Sequence, residues 1–119
     1  MKTLMTISNK GINTMMVNNA TARHANVIME RTGSVEMGIM KSLLVDVLKA
    51  KMQSGTAHFW FKKLDGTIRE AWGTTSHNLM ANKINGNGYT GEQVNTVKFW
   101  DVEKGAFRSL RYENLIAVA

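Results

Sequence analysis

Neither cysteine nor proline occurs among the 119 residues. Without cysteine there is no disulfide framework and no thiolate metal site. The lack of proline points to no mechanism, and neither does the abundance of methionine, with nine residues. No apolar run approaches the length of a membrane span, and the N-terminus has no apolar core of a secretory signal. The expected location is therefore the cytoplasm, away from membranes. Histidine is sparse and scattered at His24, His58 and His77. No two are spaced as ligands on one helix, so no metal site is expected. No nucleophile has an attendant base, and Ser109 beside Arg108 makes no triad. The chain reads as a non-enzyme that needs no cofactor.

What is present suits one small domain, with a hydrophobic fraction of 44% to build its core. The formal net charge is +6, which favours polyanionic partners. The cations are dispersed, with seven Lys/Arg against three Asp/Glu up to residue 54 and eight against six thereafter. A non-specific nucleic-acid binder would carry a denser basic face.

Residues 1–33 read as an N-terminal arm, partly helical or disordered. "TLMTIS" alternates briefly, "NKGINTMMVNN" breaks regular structure, and "ATARHANVIMERTG" has room for three helical turns ending at Gly33. Residues 34–53 form the clearest helix, with Ser34 as N-cap and Gly55 beyond its end. Met37, Met40, Leu44, Val47, Leu48 and Met52 recur at spacings of three and four, an apolar stripe expected to pack on the core.

After Gly55 the period changes to two. "TAHFWFKKL" and "TIREAWGT" flank Asp65-Gly66, a hairpin signal, and "TVKFWDV" and "AFRSLRY" flank "EKG". "ENL" suits one 3₁₀ turn before a last strand, "IAVA". Between the hairpins lies "SHNLMANKINGNGYTGEQVN", with three glycines and five asparagines. Its "NGNGYTG" lacks the lysine and helix start of a phosphate-binding loop, so a flexible loop is expected. The fold class is mostly β with an N-terminal α-helix, a small five-stranded SH3-like or Sm-like barrel over 56–119, its edges managed by closure. Helix and barrel together make a unit over 34–119.

Two stretches carry a resemblance: "F-x-F-x-K-x-D-G-T-x-R-E-A-x-G-T" from Phe59 to Thr74, and "F-W-D-V-E-K-G-A-F-R-S-L-R-x-E-N-L-I" from Phe99 to Ile116. In this order they resemble the second WYL-type family, an Sm-like SH3 β-barrel domain common in gut bacteria and their phages. The resemblance covers the whole proposed barrel. It implies a groove lined by four basic residues that senses an anionic ligand, a nucleotide or nucleic-acid fragment. Lys63, Arg69, Arg108 and Arg111 match that basic pattern. Phe107 stands where the family often has tryptophan, and the cysteine often found near the groove is missing, so no thiol role is implied.

Strand alternation bears on whether these cations converge. A two-residue turn at Asp65-Gly66 would pair Lys62 with Arg69, whereas a longer turn would bring Lys63 nearer to it. Like charges placed opposite each other cost stability, which hints at a ligand, unless Glu70 or Glu113 neutralises them. Arg108 suits bidentate recognition of phosphate or carboxylate, but a pair with Asp101 or Glu103 would serve equally. Trp60, Trp72 and Trp100 are expected mostly in core or barrel-end packing. Tyr89, in the Gly-rich loop, is the aromatic best placed to contact a ligand. The expected ligand set is Lys62, Lys63, Arg69, Arg108, Arg111 and Tyr89. The alternative is a protein-interaction or structural SH3-like module.

Overall fold

Helix formation starts at the residues expected to cap it. The Ser34 hydroxyl accepts the Met37 N–H at 3.1 Å, and the helix that follows, α2, spans Val35–Ser54. Before it, α1 spans Asn19–Thr32 and stops at Gly33, whose φ of +70° only glycine adopts cheaply. A short antiparallel ladder, β1 (Lys2–Met5) with β2 (Met15–Asn18), precedes α1. The computed structural model describes residues 2–5, 15–76 and 91–119, with backbone alone for 2–5 and 15–18.

The remaining strands are β3 (Ala57–Lys62), β4 (Ile68–Thr74), β5 (Thr96–Asp101), β6 (Ala106–Arg111) and β7 (Leu115–Val118). A 3₁₀ turn at Glu92–Val94 leads into β5, and a second at Tyr112–Asn114 joins β6 to β7. These five strands make one antiparallel sheet in the order β6-β5-β4-β3-β7. Closure was expected, but β6 and β7 do not pair, so the sheet stays open. The ladder between β4 and β5 is short, with only Gly73↔Asp101 and Thr74↔Trp100 in register.

Alternation decides what faces inward. Ala57, Phe59, Phe61, Ala71, Val97, Phe99 and Leu110 are buried on the inner face. Phe59 meets Phe99 edge-to-face at 5.1 Å. Gly73 permits this approach, since a Cβ there would lie 2.6 Å from the Phe99 ring. Ile28 of α1 and Val45, Leu48 and Met52 of α2 join the same core, with Tyr112 and Leu115. The segment expected as an arm thus supplies buried core residues.

Three expectations need correcting. The buried stripe of α2 runs through Gly38, Ser42, Val45, Leu48 and Met52, while Met40 and Val47 are 65% and 45% exposed. The stripe is rotated because α2 serves two partners. It packs on the sheet and also on α1, where a Cβ at Gly38 would lie 2.4 Å from Met29 and 2.9 Å from the Ala25 carbonyl.

The second concerns the β3–β4 turn, where the longer of the two loops considered is the one that forms. Phe61 opposes Arg69 and Lys62 opposes Ile68. The Lys63 N–H donates to Thr67 O at 2.8 Å and Gly66 N–H to Lys63 O at 2.9 Å, leaving Leu64, Asp65 and Gly66 as a three-residue loop. Asp65 holds it by accepting from the Thr67 N–H at 2.9 Å and hydroxyl at 2.7 Å, and Gly66 takes φ of +90°. Lys62 and Arg69 therefore lie on opposite faces of the sheet.

Third, none of the three tryptophans is in the core. Trp60, Trp72 and Trp100 all have outer-face parity and are half-buried. Three phenylalanines and the two helices already fill the inner face, so larger rings are not needed there.

Candidate functional site

The cations expected to line one groove are distributed over two faces. Arg69 points inward from β4 and pairs with Asp101, whose side chain is fully buried. Asp101 also accepts the Lys104 N–H at 2.9 Å, so the pair anchors the β5–β6 turn. Arg108 opposes Phe99 on β6 and is exposed. The pairs considered for it do not form, because Asp101 is taken by Arg69. Lys63 is exposed at the start of the β3–β4 turn. Arg111 opposes Thr96 and takes the outer parity with Lys62. The carboxylates considered as quenchers are engaged elsewhere: Glu70 with His58 at 2.7 Å, Glu113 with Arg31 at 2.9 Å. Tyr89 lies outside the described residues.

A groove does form at the helix-proximal end of the sheet, with a volume of about 490 Å³. Met37, Ile68 and Ile116 give it apolar walls, and Lys41 and Lys62 give it two ammonium groups. Lys41 donates to the Leu115 carbonyl. Its pKa is pushed down by burial and then by the neighbouring Lys62 charge. Glu113 also lines the groove but is held by Arg31. Lys62 was anticipated from sequence and Lys41 was not. Lys41 has no distinguishing sequence signal, because only the docking of α2 onto β7 brings it there.

A second polar constellation ties the helices to the sheet. The Glu92 carboxylate pairs with Arg23 of α1 and Lys49 of α2. It also accepts from the Tyr112 hydroxyl at 2.9 Å and lies 3.0 and 3.1 Å from His24 Nε2. His24 is 1% exposed and packs its ring 4.4 Å from that of Tyr112. Burial, reinforced by Lys49 and Arg23, lowers its pKa to about 4. The neutral tautomer with the proton on Nε2 fits this geometry, since that N–H can donate to Glu92. Nδ1 then carries a lone pair without a hydrogen-bond partner, 3.8 Å from Asp46 Oδ1. Asp46 accepts from the Thr21 hydroxyl. Burial also raises the Tyr112 pKa and lowers that of Lys49. An imidazole so enclosed meets no substrate, so this knot holds the fold together. Sequence reading missed it because its members, from Arg23 to Tyr112, lie as far as 89 residues apart.

The outer face carries a band of rings. His58 stacks on Trp72 at 4.5 Å and 6°, and tilts against Trp60 at 4.4 Å. Trp100 meets Phe107 edge-on at 5.0 Å, and Lys98 Nζ sits 4.9 Å from the Phe107 centroid.

Five bent antiparallel strands, with a 3₁₀ turn before the last, define an Sm-like SH3 domain, here with an open sheet. The family described as WYL_2, Sm-like SH3 beta-barrel fold, matches residues 45–116, and the chain belongs to it. The chain is also 32% identical over 81 residues to an uncharacterized 11.5 kDa protein in the Gp31-cd intergenic region of Enterobacteria phage T4. That match covers 66% of this chain and 79% of the phage protein. No solved structure matches.

Proposed function

We propose that the domain is a non-enzymatic binding module that takes a small anionic ligand, such as a nucleotide, in the groove between Lys41 and Lys62. The observation that carries this reading is the pairing of two ammonium groups inside one apolar-walled hollow. An anion bound there would relieve their mutual repulsion, and Met37, Ile68 and Ile116 would cover a base or other flat apolar part. Arg69, committed to Asp101, belongs to the scaffold in this reading.

The test is a thermal-shift and calorimetric titration with inorganic phosphate and a nucleotide series at several salt concentrations. Wild type should be stabilised by about 3 kcal/mol at a hundredfold excess over Kd. Lys62→Glu should abolish the effect without unfolding the protein. A protein indifferent to every anion, or equally responsive with Glu at position 62, rejects the reading.

A specific observation favours a second reading, a protein-interaction module. Met40, Leu43 and Val47 form an exposed apolar stripe on α2. Concentration-dependent light scattering that Leu43→Glu abolishes would support it, and a strict monomer that captures no partner would not.

A further inference from the structure

We propose that the outer face of the sheet is a stacking platform for single-stranded nucleic acid, separate from the Lys41–Lys62 groove. All three tryptophans of the chain lie on this face. Three half-buried indoles on the face opposite the phenylalanine core call for a reason, since burial within the core would recover more free energy. Their arrangement suits a ligand that is itself flat. His58 and Trp72 are already parallel, with Trp60 against the other side of the cluster. Trp100 and Phe107 form a second cluster on the two strands beyond β4. A base can lie on either cluster, since every base has a π-face and stacking tolerates sequence.

Charge selects the occupant. Arg111 and Lys98 share the outer parity of β6 and β5, with Lys98 Nζ over the Phe107 ring. Among the described strand residues of this parity the carboxylate is Glu70, tied to His58 at 2.7 Å. Rings interleaved with cations match a chain of bases joined by phosphates, and they match a neutral apolar partner poorly. A duplex hides the faces of its bases and would not engage the rings.

Because every tryptophan sits here, intrinsic fluorescence reports on this surface alone. Titration with oligo(dT) should quench it, and the affinity should fall as salt rises, with a shallow slope set by about two phosphate contacts. Trp72→Leu and Trp100→Leu should each weaken binding of a labelled oligo(dT) roughly tenfold by anisotropy, with unchanged circular dichroism. Arg111→Ala, at an exposed position of outer parity, should reduce the salt slope and the affinity without touching the core. A saturating mononucleotide, aimed at the groove, should leave the oligonucleotide response in place, so that the two sites succeed or fail independently.

Absence of quenching overturns the proposal. So does equal quenching by duplex DNA, or anisotropy-detected binding that ignores both tryptophan substitutions. A concentration-dependent tryptophan shift with dimerisation, in place of any oligonucleotide response, would assign the face to a second copy of the chain.

Discussion

Acidification should loosen the knot around His24 before it affects the rest of the fold. His24 is enclosed by Arg23 of α1, Asp46 and Lys49 of α2, Glu92 of the 3₁₀ turn before β5, and Tyr112 of the turn after β6. Its pKa falls from 6.5 to about 4 on folding. Between those values the unfolded chain binds a proton that the native protein refuses. Stability is therefore lost as pH drops through 6.5, and the loss levels off near 4. At about 1.4 kcal/mol per unit, the whole window is worth about 3 kcal/mol, and about 2.5 kcal/mol is gone by pH 4.5.

The assay is urea unfolding followed by circular dichroism at pH 7, 6, 5 and 4.5, for wild type and His24→Gln. Glutamine keeps an N–H donor for Glu92 but cannot titrate. Acid effects from every other group are common to both proteins. Wild type should lose about 2.5 kcal/mol more than the variant between pH 7 and 4.5. Parallel stability curves would refute the assignment of a neutral, proton-refusing imidazole at position 24.

Two further outcomes follow from the packing. Asp101→Ala strands the Arg69 guanidinium, which is 16% exposed, and should cost about 3 kcal/mol in denaturant unfolding. Arg69→Met combined with Asp101→Leu should recover most of that loss, and a double variant no better than the single would contradict the pairing. Gly73→Ala drives a methyl into Phe99 and Phe59, at 2.6 and 3.1 Å, and should cost about 1–3 kcal/mol. A melting temperature unchanged in calorimetry would show that the packing of Gly73 against Phe99 and Phe59 has slack.

The local signals were reliable where a single element decides the outcome. Ser34 and Gly55 bracket α2 because capping uses groups within one turn. Asp65-Gly66 and Gly105 mark hairpin turns because positive φ and Asx hydrogen bonds are local demands. The family motifs from Phe59 and Phe99 pointed to the fold on the same basis, as runs of strand and turn. Loop length was less legible. One extra turn residue moved Arg69 from beside Lys62 to the opposite face, since side-chain direction alternates at every position.

Alternation, capping residues and glycine turns were written in the chain itself, and they determined two hairpins, one long helix and a five-stranded antiparallel sheet. Tertiary structure alone decided which face of that sheet the helices cover. That choice sent Phe59, Phe61 and Phe99 inward and left the tryptophans outside, although both ring types alternate equally well along β3 and β5. It also gathered Arg23, His24, Lys49 and Tyr112 around the Glu92 carboxylate, and Lys41 and Lys62 around one hollow. Contacts between residues far apart in the chain depend on how whole elements dock, and no short stretch of sequence carries that information.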